Sequence, residues 1–150
     1  MATRLTDDEL RAWEALLHAH QQVVGTLDAQ LRAAHGVGFD AYDVLVRLAR
    51  AEGGELRMSA LAERVMAPPS TLTRRVDRLV ADGLIERTRS PDDSRVMLVT
   101  LTDAGRRLVR RAARTHLRGI REHFTGRLSD AQLRAVADAL EVITGPHRPH

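Results

Sequence analysis

The 150-residue chain contains no cysteine, which excludes disulfides, thiolate metal centres and thiol-based redox sensing. It contains no lysine either, so all 23 basic residues are arginine. Arginine grips phosphate as a two-pronged fork, but a lysine-free, alanine-rich chain is also what GC-rich coding produces. Trp13, Phe39, Tyr42 and Phe124 are the only aromatic residues. The core must therefore be built from Leu, Val and Ala, which suits helices. No apolar run approaches the roughly 20 residues of a membrane span. The stretch Met1 to Asp7 lacks the apolar centre of a signal peptide, so no membrane partner and a cytoplasmic location are expected.

The charge that is present is unevenly placed. The formal net charge is +3, but residues 57–121 hold fifteen Arg against seven acids, residues 1–56 five against nine, and residues 122–150 three against four. The middle of the chain is thus a basic block at +8, the expected place for a polyanionic partner.

Long helices are expected at both ends. Thr6 with Glu9 forms a capping-box pattern. Behind it Leu10, Trp13, Leu17, His20, Val24, Leu27, Leu31 and Ala34 recur at three and four residues, a heptad-like seam. Gly36-Val37-Gly38 ends that helix. Asp40 is expected to cap a second one with Val44, Leu45 and Leu48 inward, Gly53-Gly54 to break it, and Leu56 to sit in a short strand. Thr102 is expected to cap another long helix. Its apolar side carries Leu108, Val109, Ala112, Ala113, His116, Leu117, Ile120 and Phe124, and its other side is crowded with arginines. Ser129 and Gln132 make a second capping box, opening a last helix with Leu133, Val136, Ala137, Leu140 and Ile143 on one face. Gly145-Pro146 stops it, and His147 to His150 reads as a frayed tail. The middle section is too small to cover both end stripes. Burial between two copies of the chain is the simplest solution, and an intramolecular bundle is the alternative.

The order of parts from Ser59 to Gly105 is the most informative feature. A short helix (Ser59 to Val65) is followed by Pro68, Pro69 and Ser70, then by a second helix to Asp82 that Gly83 stops. Leu72, Val76, Leu79 and Val80 take the inward face of this helix. Ser70, Thr71, Thr73, Arg74, Arg75 and Arg78 are left outside. Arg can bond guanine O6 and N7 together, and Ser and Thr can meet bases or phosphates, so this set suits a major groove; the bland reading is a solvated polar face. Pro69 favours the first helical turn, which aims free N–H groups at a phosphate. A hairpin then pairs Leu84–Arg89 with Arg95–Leu101 around Ser90-Pro91-Asp92. Arg95 leaves its tip, suited to the negative minor groove, and Asp93 is placed to hold it by a salt bridge, or to form a surface pair of negligible worth.

Together, Ser59-x-Leu61-Ala62, Leu72-Thr73-Arg74 with Asp77-x-Leu79, Gly83-Leu84-Ile85-x-Arg87, Asp93-x-Arg95 and Leu101-Thr102-x-x-Gly105 resemble the MarR family of bacterial transcription regulators. The likeness extends over nearly the whole chain. It implies a mainly α fold with a small β-hairpin wing, a winged helix-turn-helix with N- and C-terminal dimerisation helices. Residues 1–38 would form the first dimerisation helix, 39–101 the DNA-binding lobe and 102–150 the C-terminal dimerisation helices. It implies a nucleoid-associated homodimer on a palindromic double-stranded operator, a repressor released by a small aromatic or anionic ligand. Ser59, Pro69, Ser70, Thr71, Thr73, Arg74, Arg75, Arg78, Asp93 and Arg95 are the expected DNA-facing residues. The alternative is an architectural DNA-binding protein with weak sequence preference and no inducer.

Trp13, His20, Tyr42 and Arg50 are the candidate ligand contacts. An Arg or His can pair with a carboxylate or phenolate while a ring stacks on it. Each also has a plain structural reading: Trp13 and His20 in the dimer seam, Tyr42 and Arg50 at the surface. His18 and His20 are too close in sequence to share a helix face. His116 and His123 can share one, but two histidines make a poor zinc site. A pH effect through His20 and His116 in the seam is a further option. No metal cluster, phosphate loop, nucleophile elbow or triad is visible, so neither enzyme activity nor a cofactor is expected.

Overall fold

A computed structural model describes residues 4–65 and 67–145. Pro146 and the expected tail His147–His150 lie outside the described residues. Six helices and three strands run in the order α1 (Asp7–His35), α2 (Phe39–Arg50), β1 (Glu55–Arg57), α3 (Met58–Arg64), α4 (Pro69–Ala81), β2 (Ile85–Arg89), β3 (Met97–Leu101), α5 (Asp103–His123) and α6 (Asp130–Thr144). Short 3-10 turns precede β1 and α6.

Both capping boxes form. Thr6 Oγ1 accepts from the Glu9 N–H and the Glu9 carboxylate accepts from the Thr6 N–H; Ser129 and Gln132 repeat the arrangement. Asp40 does not cap α2, because the helix starts two residues earlier than expected. Gly38 is the extended N-cap, with no side-chain cap bond. Asp40 lies in the first turn and pairs instead with Arg75 of α4.

The main core lies between α2, α3, α4 and the sheet. Val44, Leu45, Leu48, Leu61, Leu72, Val76, Leu79, Ile85 and Val99 are all buried there. Val80, expected inside, is exposed. It lies at the edge of the face that Leu72, Val76 and Leu79 bury, turned about 100° from Leu79. A second, smaller cluster of Leu31, Tyr42 and Ala112 joins α1, α2 and α5.

The sheet has three antiparallel strands in the order β1-β3-β2. The hairpin is slightly shorter than expected: Ile85 pairs with Leu101 and Arg89 with Met97, which leaves Arg95 and Val96 in the tip. Leu56 lies opposite Val99, so the short strand before α3 closes the far edge of the hairpin.

The joint between the hairpin and α5 explains the Leu101-Thr102-x-x-Gly105 spacing. Gly83 turns the chain out of α4 with a φ of 70°, where a side chain is strained. Thr102 Oγ1 donates to the Gly83 carbonyl at 2.8 Å and accepts from the Gly105 N–H at 3.0 Å. The Thr102 N–H donates to the Leu84 carbonyl at 3.1 Å. A Cβ on Gly105 would collide with that same carbonyl and with the Leu101 side chain. One threonine thus caps α5 and stitches it to the turn after α4, and glycine lets the helix approach closely enough.

The two ends of the chain are largely uncovered. Leu27 and Leu31 of α1 are buried, but Leu10, Trp13, Leu16 and Leu17 are exposed, Trp13 by 55%. In α6 no residue is buried, and Val142 and Ile143 are 87% and 74% exposed. On α5, Leu117 is 63% exposed, unlike its expected apolar neighbours Leu108 and Ala112. Isolated exposed apolar residues are ordinary, but series of them along two helices are what an interaction surface looks like.

Candidate nucleic-acid interface

Helix α4 carries its buried residues, Leu72, Val76 and Leu79, on one side. Ser70, Thr73, Arg74 and Arg78 are exposed on the other and Thr71 is half-buried. Thr73 Oγ1 donates back to the Pro69 carbonyl at 3.0 Å. Pro68 occupies the N-cap and has no side-chain acceptor, and Pro69 is the first helical residue. The first-turn N–H groups of Ser70 and Thr71 are therefore left without a side-chain cap. They point with the positive end of the helix dipole toward any approaching anion.

Arg75 departs from the outward set. Its side chain is only 16% exposed, and its guanidinium lies 3.1 Å from Asp40. Starting α2 at Phe39 places that carboxylate beside α4, so Arg75 is held against α2 rather than extending freely. Arg78 is 84% exposed and pairs only loosely, at 4.0 Å, with Asp82. Ser59 is exposed on α3.

The hairpin tip is tied to itself. The Ser90 N–H donates to Val96 O at 2.8 Å and the Val96 N–H to Asp93 O at 2.9 Å. Arg89 reaches the Ser94 carbonyl. Arg95 projects from this frame with its side chain 89% exposed. Asp93 holds it from three sides, accepting from the Arg95 N–H at 3.0 Å and from its Nε and Nη2 at 3.1 Å each. The expected Asp93–Arg95 pair is present. The guanidinium and the N–H of Arg95 hold the Asp93 carboxyl below its ordinary value, so the pair persists at neutral pH and is lost only as pH falls through that lowered value. In solvent such a pair adds little stability. It limits the rotamers of a projecting arginine, and the order it imposes need not be imposed again on binding. A second strut, Arg87 Nη1 to Asp77 Oδ1 at 2.6 Å, joins β2 to α4.

The four candidate ligand contacts do not converge within one chain. Trp13 and His20 are exposed on the uncovered half of α1. Tyr42 is buried, not at the surface, and Arg50 is exposed at the end of α2. Tyr42 packs at 5.0 Å between ring centres against His116 of α5, which also meets Phe39 at 5.7 Å. The sequence signal for this cluster is the three-residue spacing of Phe39 and Tyr42, which puts both on one helix face; the α5 partner has no local signal. Among the described residues no group of three or more His, Asp or Glu is placed to hold a metal.

His116 is the one described residue with a buried side-chain nitrogen, Nδ1, that lacks a hydrogen-bond partner. Burial lowers its pKa from 6.5, against the smaller opposing pull of Asp43. The folded chain then binds a proton less readily than the unfolded chain, so this residue costs nothing above about pH 6.5 and costs stability progressively as pH falls below it. The expected result is that His116→Phe flattens the dependence of Tm on pH between 6.5 and 5. Parallel melting curves for both proteins in that window would remove the histidine from the account.

With this geometry in place, comparisons with known proteins agree with one another. A family model described as MarR family matches residues 35–96. AbsC, a MarR family transcriptional regulator from Streptomyces coelicolor, superposes with a TM-score of 0.90 at 30% identity, over 95% of this chain and 96% of that one. Sco3205, another MarR family regulator from the same organism, solved in complex with DNA, gives a TM-score of 0.91 at 29% identity, over 99% and 93%. The transcriptional repressor IacR of Pseudomonas putida is 33% identical over 92 residues, 61% of this chain and 54% of that repressor.

Proposed function

Since this chain belongs to the MarR family of transcriptional regulators, we propose that it acts as a homodimeric repressor that reads a palindromic operator and is released by a small anionic or aromatic ligand. Members of the family are DNA-binding regulators and not enzymes, and this chain is a winged-helix DNA-binding regulator like them.

The observation that carries the finer reading is the pairing of two projecting surfaces on one rigid lobe. Ser70, Thr71, Thr73, Arg74 and Arg78 on α4 enter the major groove, with Pro69 and the first turn on a phosphate. Arg75 stays on Asp40 and contacts DNA only from that position. Arg95, held by Asp93, reaches the adjacent minor groove, and Ser59 on α3 meets the backbone. The uncovered apolar residues of α1 and α6 support a second copy of the chain, which would set two α4 helices about one turn of DNA apart. Trp13 and His20 would then lie in or beside that seam.

Fluorescence anisotropy with the DNA upstream of this gene, against a scrambled duplex across a salt series, tests the proposal. A preference of about a thousandfold or more supports a specific regulator. In the same assay Arg95→Ala is expected to weaken specific binding by at least about 1 kcal/mol, with an unchanged sedimentation coefficient. Wild-type affinity in that variant removes the wing from the interface.

One observation favours a second reading. Arg107, Arg110, Arg111, Arg114, Arg118 and Arg121 are exposed on α5. At 100° per residue they fall within one stripe about 100° wide. Among the described residues none of them forms an ion pair. An architectural protein would use such a stripe on any duplex, and equal, steeply salt-dependent binding to both DNAs is its signature.

A further inference from the structure

A small hollow lies on the outer side of α2 where it meets α3, lined by Asp43, Val46, Arg47, Arg50 and Arg64. Its volume is about 70 Å³, room for roughly two waters at ~30 Å³ each or for one carboxylate or phosphate head. Three arginines and one aspartate are among its lining residues. Asp43 is engaged by Arg47 through Nε at 2.9 Å, so the outer nitrogens of Arg47 remain for another partner. Among the described residues Arg50 and Arg64 form no ion pair. The hollow thus carries a surplus of two positive charges beside one apolar wall. We propose that it is a binding site for the oxyanion head, carboxylate or phosphate, of a small effector, held by Arg47, Arg50 and Arg64.

The place of the hollow in the fold says what such an anion does. Arg50 lies ten residues beyond Asp40, about 15 Å along α2, so the hollow is well separated from the Asp40–Arg75 strut to α4. The strut and the hollow thus lie toward opposite ends of α2. Asp43 and Val46 also border the Phe39, Tyr42 and His116 cluster that joins α2 to α5. An anion bridging Arg47 and Arg50 to Arg64 draws α3 toward α2, and it neutralises positive charge on the DNA-binding lobe. Both effects lower DNA affinity, and the coupling is reciprocal: bound DNA weakens the anion by the same factor. This inference rests on the ligand-responsive reading above and gives it a site and a head group. Of the four ligand candidates it uses only Arg50.

The test is isothermal titration of the full chain with inorganic phosphate and, separately, with benzoate, in chloride buffer of constant ionic strength. Wild type, Arg50→Gln, Arg64→Gln and Arg134→Gln are compared. The last removes an exposed arginine of α6 and controls for net charge. The expected result is saturable binding of at least one anion by wild type and Arg134→Gln, lost in Arg50→Gln and Arg64→Gln, with thermal melts showing all four folded. Saturation with that anion is expected to weaken DNA binding by about fivefold or more. Absence of saturable binding of both anions up to millimolar concentration overturns the site. So does binding that survives in Arg50→Gln and Arg64→Gln, or that Arg134→Gln reduces equally. Anion binding with no effect on DNA affinity overturns the regulatory part. Failure of the anion-free protein to prefer any DNA counts against the regulator reading instead, so the two failures are separable.

Discussion

Arg74→Ala is expected to lower affinity for the operator about 5- to 150-fold, equivalent to about 1–3 kcal/mol, and to relax the base preference at one position of each half-site. The side chain is exposed on the outer face of α4, and among the described residues it forms no ion pair. Its removal leaves no buried group unsatisfied, so Tm should be unchanged within about a degree, as for a surface substitution. The check is anisotropy at one fixed salt concentration, with the operator and a panel of single-base variants. An equal loss on every sequence would place Arg74 on phosphate rather than on a base. No loss at all would mean that α4 does not enter the groove, and the proposed interface would fail with it.

Leu61→Ala is expected to act by the opposite route, costing about 2–5 kcal/mol of folding stability through lost burial and the cavity left behind. Leu61 is the fully buried residue of α3, a helix of only seven residues with no other comparable anchor. For a domain whose whole stability is about 5–15 kcal/mol, that loss is large, and DNA binding should fall because less protein is folded. Denaturant melts read the first quantity and anisotropy the second. Binding per folded molecule should stay near that of wild type, whereas in Arg74→Ala it should not. A Leu61→Ala protein of unchanged midpoint would mean that α3 is not packed as described.

Much of this could be read from local sequence, and the failures have a common cause. Caps at Thr6, Thr102 and Ser129, the stop at Gly83 and the Asp93–Arg95 clasp depend on residues at most a few positions apart, so the chain itself encodes them. The details that were not legible are contacts between distant segments. Asp40 resembled a cap, but α2 begins two residues earlier and offers it to Arg75. Val80 resembled a core residue because a thirteen-residue helix has several apolar positions, but a small lobe has room for only one face. Tyr42 found His116 more than seventy residues away. Leu56 could be assigned to a strand, yet its partner Val99 could not. Among the DNA-facing candidates of α4, exposure followed the helical pattern except at the half-buried Thr71 and at Arg75, where a distant carboxylate decided the matter.

The exposed faces of α4, the wing and α5 carry their positive side-chain charge as guanidinium groups, since the chain has no lysine. Arginine keeps its proton to about pH 12 and above, and it offers no primary amine for an acyl group to cap. Neither a physiological change in pH nor the acylation that silences lysine-rich DNA-binding surfaces can therefore erase this charge. It can be screened by salt, matched by a bound anion or turned away from the duplex by movement of a helix.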